Sequence, residues 1–76
     1  MFGPILKALK ALVSKVPWGK VASFLKWAGN LAAAAAKYSY TSGKKILAYI
    51  QKHPGKIVDW FLKGYSVYDV IKMILG

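Results

Sequence analysis

The chain has 76 residues, of which 12 are lysine, none is arginine or cysteine and only two are acidic, so its net charge is +10 while 57% of its residues are hydrophobic. This length fits one small domain near the lower limit for a self-sufficient core, and without cysteine no disulfide or thiolate–metal site can reinforce it. The hydrophobic share exceeds the roughly 45–50% of ordinary soluble domains and excludes disorder, which requires low hydrophobicity.

In chain order, Pro4 suits the first position of a helix, where its missing N–H costs nothing. Ile5, Leu6, Leu9, Leu12, Val13 and Val16 then follow the helical period, with Lys7, Lys10 and Ser14 on the other face. Pro17 ends this helix and opens the next. A second helix is predicted from Trp18 to about Ala28, with Val21, Ala22, Leu25 and Ala28 inward and Phe24 beside them. Lys20, Ser23 and Trp27 fall on its outer side. Gly29-Asn30 reads as a break or a kink with Asn30 as an N-cap, leaving open whether residues 18–40 form one bent helix or two. The alanine run after Leu31 has very high helix propensity and predicts a buried helix ending near Tyr38–Tyr40.

Ser42-Gly43 opens a further helix containing Ile46, Leu47 and Ile50, punctuated by His53-Pro54-Gly55. From Pro54 or Gly55 the next helix turns Ile57, Val58, Phe61 and Leu62 inward and Lys56, Asp59, Trp60 and Lys63 outward. Gly64 closes it as a left-handed residue. Ser66, with Asp69 three residues on, starts the last helix, whose inner stripe is Val67, Val70, Ile71, Ile74 and Leu75. No segment alternates with period two. The expected fold is all-α: a single domain spanning 1–76, built as a compact bundle of about five to six short amphipathic helices.

Reactive groups are scarce. One histidine, two aspartates and no cysteine make a metal site improbable, no glycine-rich phosphate loop is present, and the serines lack a base nearby in sequence. His53 reads as a loop or helix-end residue, Asp69 as a helix-start residue, and Asp59 as a partner for Lys63 at i,i+4. No enzyme activity, metal, cofactor or small-molecule substrate is expected.

Function therefore falls to the surface. Lys7, Lys10, Lys15, Lys20, Lys26, Lys37, Lys44, Lys45, Lys52, Lys56, Lys63 and Lys72 run along the whole chain. Solvated helix faces do not require so one-sided a balance, and such a field calls for an anionic partner. Base reading and bidentate phosphate clamping favour arginine, whereas lysine point charges suffice for a diffuse lipid surface, at about 1 kcal/mol per lysine. Tryptophan and tyrosine prefer the headgroup level. Trp27 and Trp60 fall beside lysines in helical phase and are the expected membrane contacts. Trp18 aligns with an inner stripe, so a core position is favoured for it and membrane contact is its alternative role.

The segment Gly55-Lys56-Ile57-Val58-Asp59-Trp60-Phe61-Leu62-Lys63-Gly64, continued by Val67, Asp69, Val70, Ile71, Lys72, Ile74, Leu75 and Gly76, resembles the C-terminal half of leaderless bacteriocins of the aureocin and lacticin Q type. There a Gly-Lys-aliphatic-aliphatic-acid-Trp block precedes a glycine and a final amphipathic helix. The upstream half agrees in character only, and the chain is longer than typical members. The resemblance implies a saposin-like bundle, secretion without a cleaved signal peptide and a retained, formylated Met1. It further implies a dedicated exporter, an immunity protein, and permeabilisation of the anionic membranes of Gram-positive bacteria without a protein receptor. Circular bacteriocins are similar in fold and charge; an initiating Met followed by mature-looking sequence favours a linear chain. The N-terminus agrees, since Lys7 and Lys10 interrupt any apolar signal region. The rival readings are a small basic nucleic-acid-binding protein, disfavoured by dispersed lysines and missing arginine, and a host-directed cytolytic toxin, which haemolysis would reveal.

Overall fold

Five α-helices follow one another in the computed structural model, which describes residues 1–76: α1 (Phe2–Lys10), α2 (Val21–Ala35), α3 (Tyr40–Lys52), α4 (Pro54–Leu62) and α5 (Val67–Leu75). Two 3₁₀ segments, Ala11–Lys15 and Trp18–Lys20, join α1 to α2, and there is no strand. The fold is the expected all-α bundle.

The first apolar stripe is thus only partly α-helical. α1 tightens into the 3₁₀ segment after Lys10, and Val16 is extended (φ −95°, ψ 136°). Pro17 accounts for the extended Val16, because its ring disfavours the helical conformation at the preceding residue. The expected break at Gly29-Asn30 is absent: α2 runs through both residues. Its buried residues Phe24, Ala28, Leu31, Ala32 and Ala35 form one stripe across them, and tertiary packing on that stripe overrides the roughly 1 kcal/mol that a mid-helix glycine costs. The stripe also centres on Phe24 rather than Leu25, which is exposed together with Ala22.

α3 begins earlier than the sequence suggested. Ser39 is its N-cap and accepts a hydrogen bond from the Ser42 N–H at 3.2 Å. This places Gly43 inside the helix, buried under Met1; a Cβ there would lie 3.0 Å from the Met1 sulfur. His53 separates α3 from α4, with Pro54 at the first helical position of the latter. α4 ends as expected in a left-handed Gly64 (φ +86°). The Tyr65 N–H donates to the Trp60 carbonyl at 3.1 Å and Gly64 N–H to that of Phe61 at 3.0 Å, a Schellman closure. Ser66 then caps α5 by accepting from the Asp69 N–H at 3.2 Å.

α1 packs on α2 and α3, and α5 covers the same two helices. The small Ala28, Ala32 and Ala35 side chains let neighbours approach α2 closely. The core cluster is purely apolar: 18 hydrophobic residues and no buried polar side chain. The molecule measures 34 × 22 × 20 Å.

Candidate membrane-binding surface

All twelve lysines are exposed. They sit on every helix and on both 3₁₀ segments, because the apolar stripes leave them the outer faces. Only one is paired: Lys63 Nζ lies 3.0 Å from Asp59 Oδ2, one turn away on the edge of α4. That hydrogen bond, and then the Asp59 charge, raise the Lys63 pKa from 10.5. Asp69 stands in the first turn of α5, where a negative charge complements the helix dipole. Both carboxylates therefore have local roles, and eleven of the lysines have no carboxylate within salt-bridge distance.

The tryptophans are distributed differently from the expectation. Trp60 is only 8% exposed. It stacks on Tyr49 of α3 with centroids 5.6 Å apart and planes at 7°, and Lys56 Nζ lies 5.9 Å from its ring centre. Trp27 is half-buried. Its indole Nε1 donates to the Tyr65 carbonyl at 3.1 Å, and its ring packs against Phe24 and Phe61 at centroid distances of 5.9 and 5.4 Å. The outward assignment of these two residues is corrected: in both helices the buried face is turned toward the larger ring, leaving Leu25 and Leu62 exposed instead. Trp18 is the reverse case. It is 92% exposed, so its expected core position is corrected as well. It lies in a 3₁₀ turn, where three residues per turn replace 3.6, so the phase of the α2 stripe does not extend back to it.

Trp18 projects from the corner Pro17–Lys20, with Lys15 and Lys20 close by in sequence. An indole there has no intramolecular partner ring. Further apolar and aromatic side chains stand out from the fold, among them Phe2, Tyr40, Tyr68 and Met73. Lys44 Nζ sits 5.5 Å from the Tyr40 ring centre, so charge and ring occupy one spot. The sequence signal for these was available in composition, as Tyr and Trp among lysines, but their exposure follows only from the packing.

One open groove of about 590 Å³ lies between α1 with its 3₁₀ extension and the α3–α4 corner. Ala8, Leu12, Leu47 and Ile50 form its apolar bed, while Lys7, Lys15 and Gln51 stand among its lining residues. Pro4, Lys7 and Ala8 of α1, with Ala11 at the start of the 3₁₀ segment, share one face by helical spacing and form this wall.

No three His, Cys, Asp or Glu side chains come together in a cluster able to hold a metal ion. No helix is long and apolar enough to cross a membrane. No protein-family model, curated protein or solved structure matches the chain.

Proposed function

We propose that this protein is an antibacterial bacteriocin that binds anionic bacterial membranes and permeabilises them. The observation that carries this reading is the exposure of all twelve lysines beside carboxylates that are engaged locally. Such a surface is complementary to the negative headgroups of a bacterial membrane. Four lysines facing that surface together supply about 4 kcal/mol before any apolar group enters the lipid. Trp18, standing clear of the fold, then reaches the headgroup level first, and lysine stems snorkel around it. Trp27 and Trp60 serve the bundle in water and meet lipid only after the helices separate.

Separation is inexpensive in polar terms. No polar side chain is buried, and the Trp27–Tyr65 bond is the sole side-chain hydrogen bond between distant parts of the chain. Adhesion between helices is thus almost wholly hydrophobic, and that driving force vanishes where acyl chains replace water. Splayed helices offer apolar faces to the bilayer and keep their own backbone hydrogen bonds, as a membrane demands. The likeness of the block Gly55–Gly76 to leaderless bacteriocins supports the same reading, with Gram-positive cells as targets and secretion through a dedicated exporter.

Dye release tests the mechanism. Vesicles containing phosphatidylglycerol should leak and phosphatidylcholine vesicles should not; equal leakage or none from both refutes it. Growth of Gram-positive indicator strains should stop at the same concentrations. Tight, salt-sensitive binding to duplex DNA below lytic concentration would instead assign the charge to nucleic acid.

A further inference from the structure

The groove between α1 and the α3–α4 corner combines two features that fit one kind of ligand. Its bed is apolar, with Leu12 and Ile50 at the buried level and Ala8 and Leu47 partly open. The charged residues lining it are Lys7 and Lys15 alone, eight positions apart on one wall, and neither Asp59 nor Asp69 approaches. Its volume of about 590 Å³ lies within the ~300–1,000 Å³ range of small-molecule sites. An apolar trough edged by unpaired cations suits an extended hydrocarbon tail ending in a negative head, and it penalises a zwitterionic head that brings its own cation.

We propose that this groove holds a single acyl chain of an anionic phospholipid, with Lys7 or Lys15 on the phosphate. The proposal rests on the reading that the protein acts on anionic lipid, and it adds a defined site to what is otherwise a diffuse attraction. A lipid drawn from the bilayer into the groove would lie against α1 and α3 and wedge them. Ala11, exposed on the groove wall, is where a large side chain blocks the trough without entering the core.

The test uses dodecyl phosphate below its micelle concentration, followed by NMR of the full chain. It should bind saturably at one site, shifting the methyl signals of Ala8, Ala11, Leu12 and Leu47. Ala11→Trp should weaken this binding at least tenfold while its circular dichroism stays helical. Lys7→Gln with Lys15→Gln, both at exposed positions, removes whichever ammonium holds the phosphate and should weaken binding roughly fivefold, the equivalent of about 1 kcal/mol for that one charge. Dodecylphosphocholine should bind more weakly than the phosphate, and inorganic phosphate should leave the methyl signals unmoved. Shifts scattered over all lysine-bearing faces without saturation overturn the site. So does an Ala11→Trp protein that binds like the parent, or a concentration-dependent dimer that occupies the groove instead. Failure here is separable from failure of the functional reading: phosphatidylglycerol vesicles that leak normally with no groove binding remove the site only, whereas groove binding without leakage removes the permeabilising activity only.

Discussion

Replacing Trp18 with alanine separates folding from membrane contact more cleanly than any other single change. The ring is 92% exposed and touches no other aromatic residue of the fold. Its loss should therefore alter unfolding free energy by less than ~0.5 kcal/mol, as for a surface position without a structural role. In lipid the balance differs. A tryptophan covers ~150–250 Å², and at ~25 cal/mol per Å² full burial would yield ~4–6 kcal/mol. A ring lying half immersed at the headgroup level realises about half of that, so removing it should lower the partition constant by ~2 kcal/mol, about 30-fold. Thermal melting by circular dichroism measures the first quantity. Co-sedimentation with phosphatidylglycerol vesicles measures the second. A Trp18→Ala protein that melts several degrees lower refutes the exposed placement. One that partitions like the parent refutes its role as the leading anchor.

Trp60→Ala should behave in the opposite way, losing about 3–5 kcal/mol of stability as a buried aromatic truncation, close to the whole stability of a domain this small; a melt unchanged from the parent would contradict the Tyr49 stack. Gly64→Ala should cost about 1–2 kcal/mol because alanine resists the left-handed region, and Ser66→Ala about 1 kcal/mol through the lost cap, each seen as a lower midpoint in urea; a neutral result at either position would argue against the observed α4–α5 link. The Lys63–Asp59 pair has a definite pH signature. The Lys63 pKa is raised in the folded state, so its contribution is complete below the ordinary lysine range and disappears as pH rises through the folded-state value. Lys63→Gln should therefore melt lower than the parent at neutral pH and converge with it at strongly alkaline pH, and a difference that persists there would show that the pair is not responsible.

Helix existence was legible in the sequence wherever a stop or start signal was chemical. Pro17, Pro54, Gly64 and Ser66 end or begin elements as their side chains and backbone preferences require. Signals that depend on packing were not. Gly29-Asn30 looks like a boundary by propensity, yet the stripe from Phe24 to Ala35 holds α2 together across it. Rotation about a helix axis was the other blind spot. In α4 the pattern Ile57, Val58, Phe61, Leu62 describes a plausible inner face, but shifting it toward Trp60 buries a larger ring and gives Tyr49 a partner. The same ambiguity leaves Trp27 half-buried where the pattern turns it outward, while Trp18 escapes the α2 stripe because its turn is 3₁₀. Lysine exposure was predictable because burying an unpaired ammonium is prohibitive, whereas the groove beside α1 arises from the meeting of two helices and has no local signature.

The scarcity of carboxylates also governs how many copies can share a surface. A net charge of +10 on a body only 20 Å across its narrowest dimension repels its neighbours at any spacing within the ~8 Å Debye length of physiological salt. Copies can crowd together only with anions between them. On a membrane those anions are the lipids themselves, about ten monovalent headgroups for each protein molecule if neutrality is to be reached. If the protein acts on anionic lipid as proposed, an assembly of it would be a composite in which lipid is a stoichiometric component, and its growth would stop when the local supply of anionic lipid is exhausted.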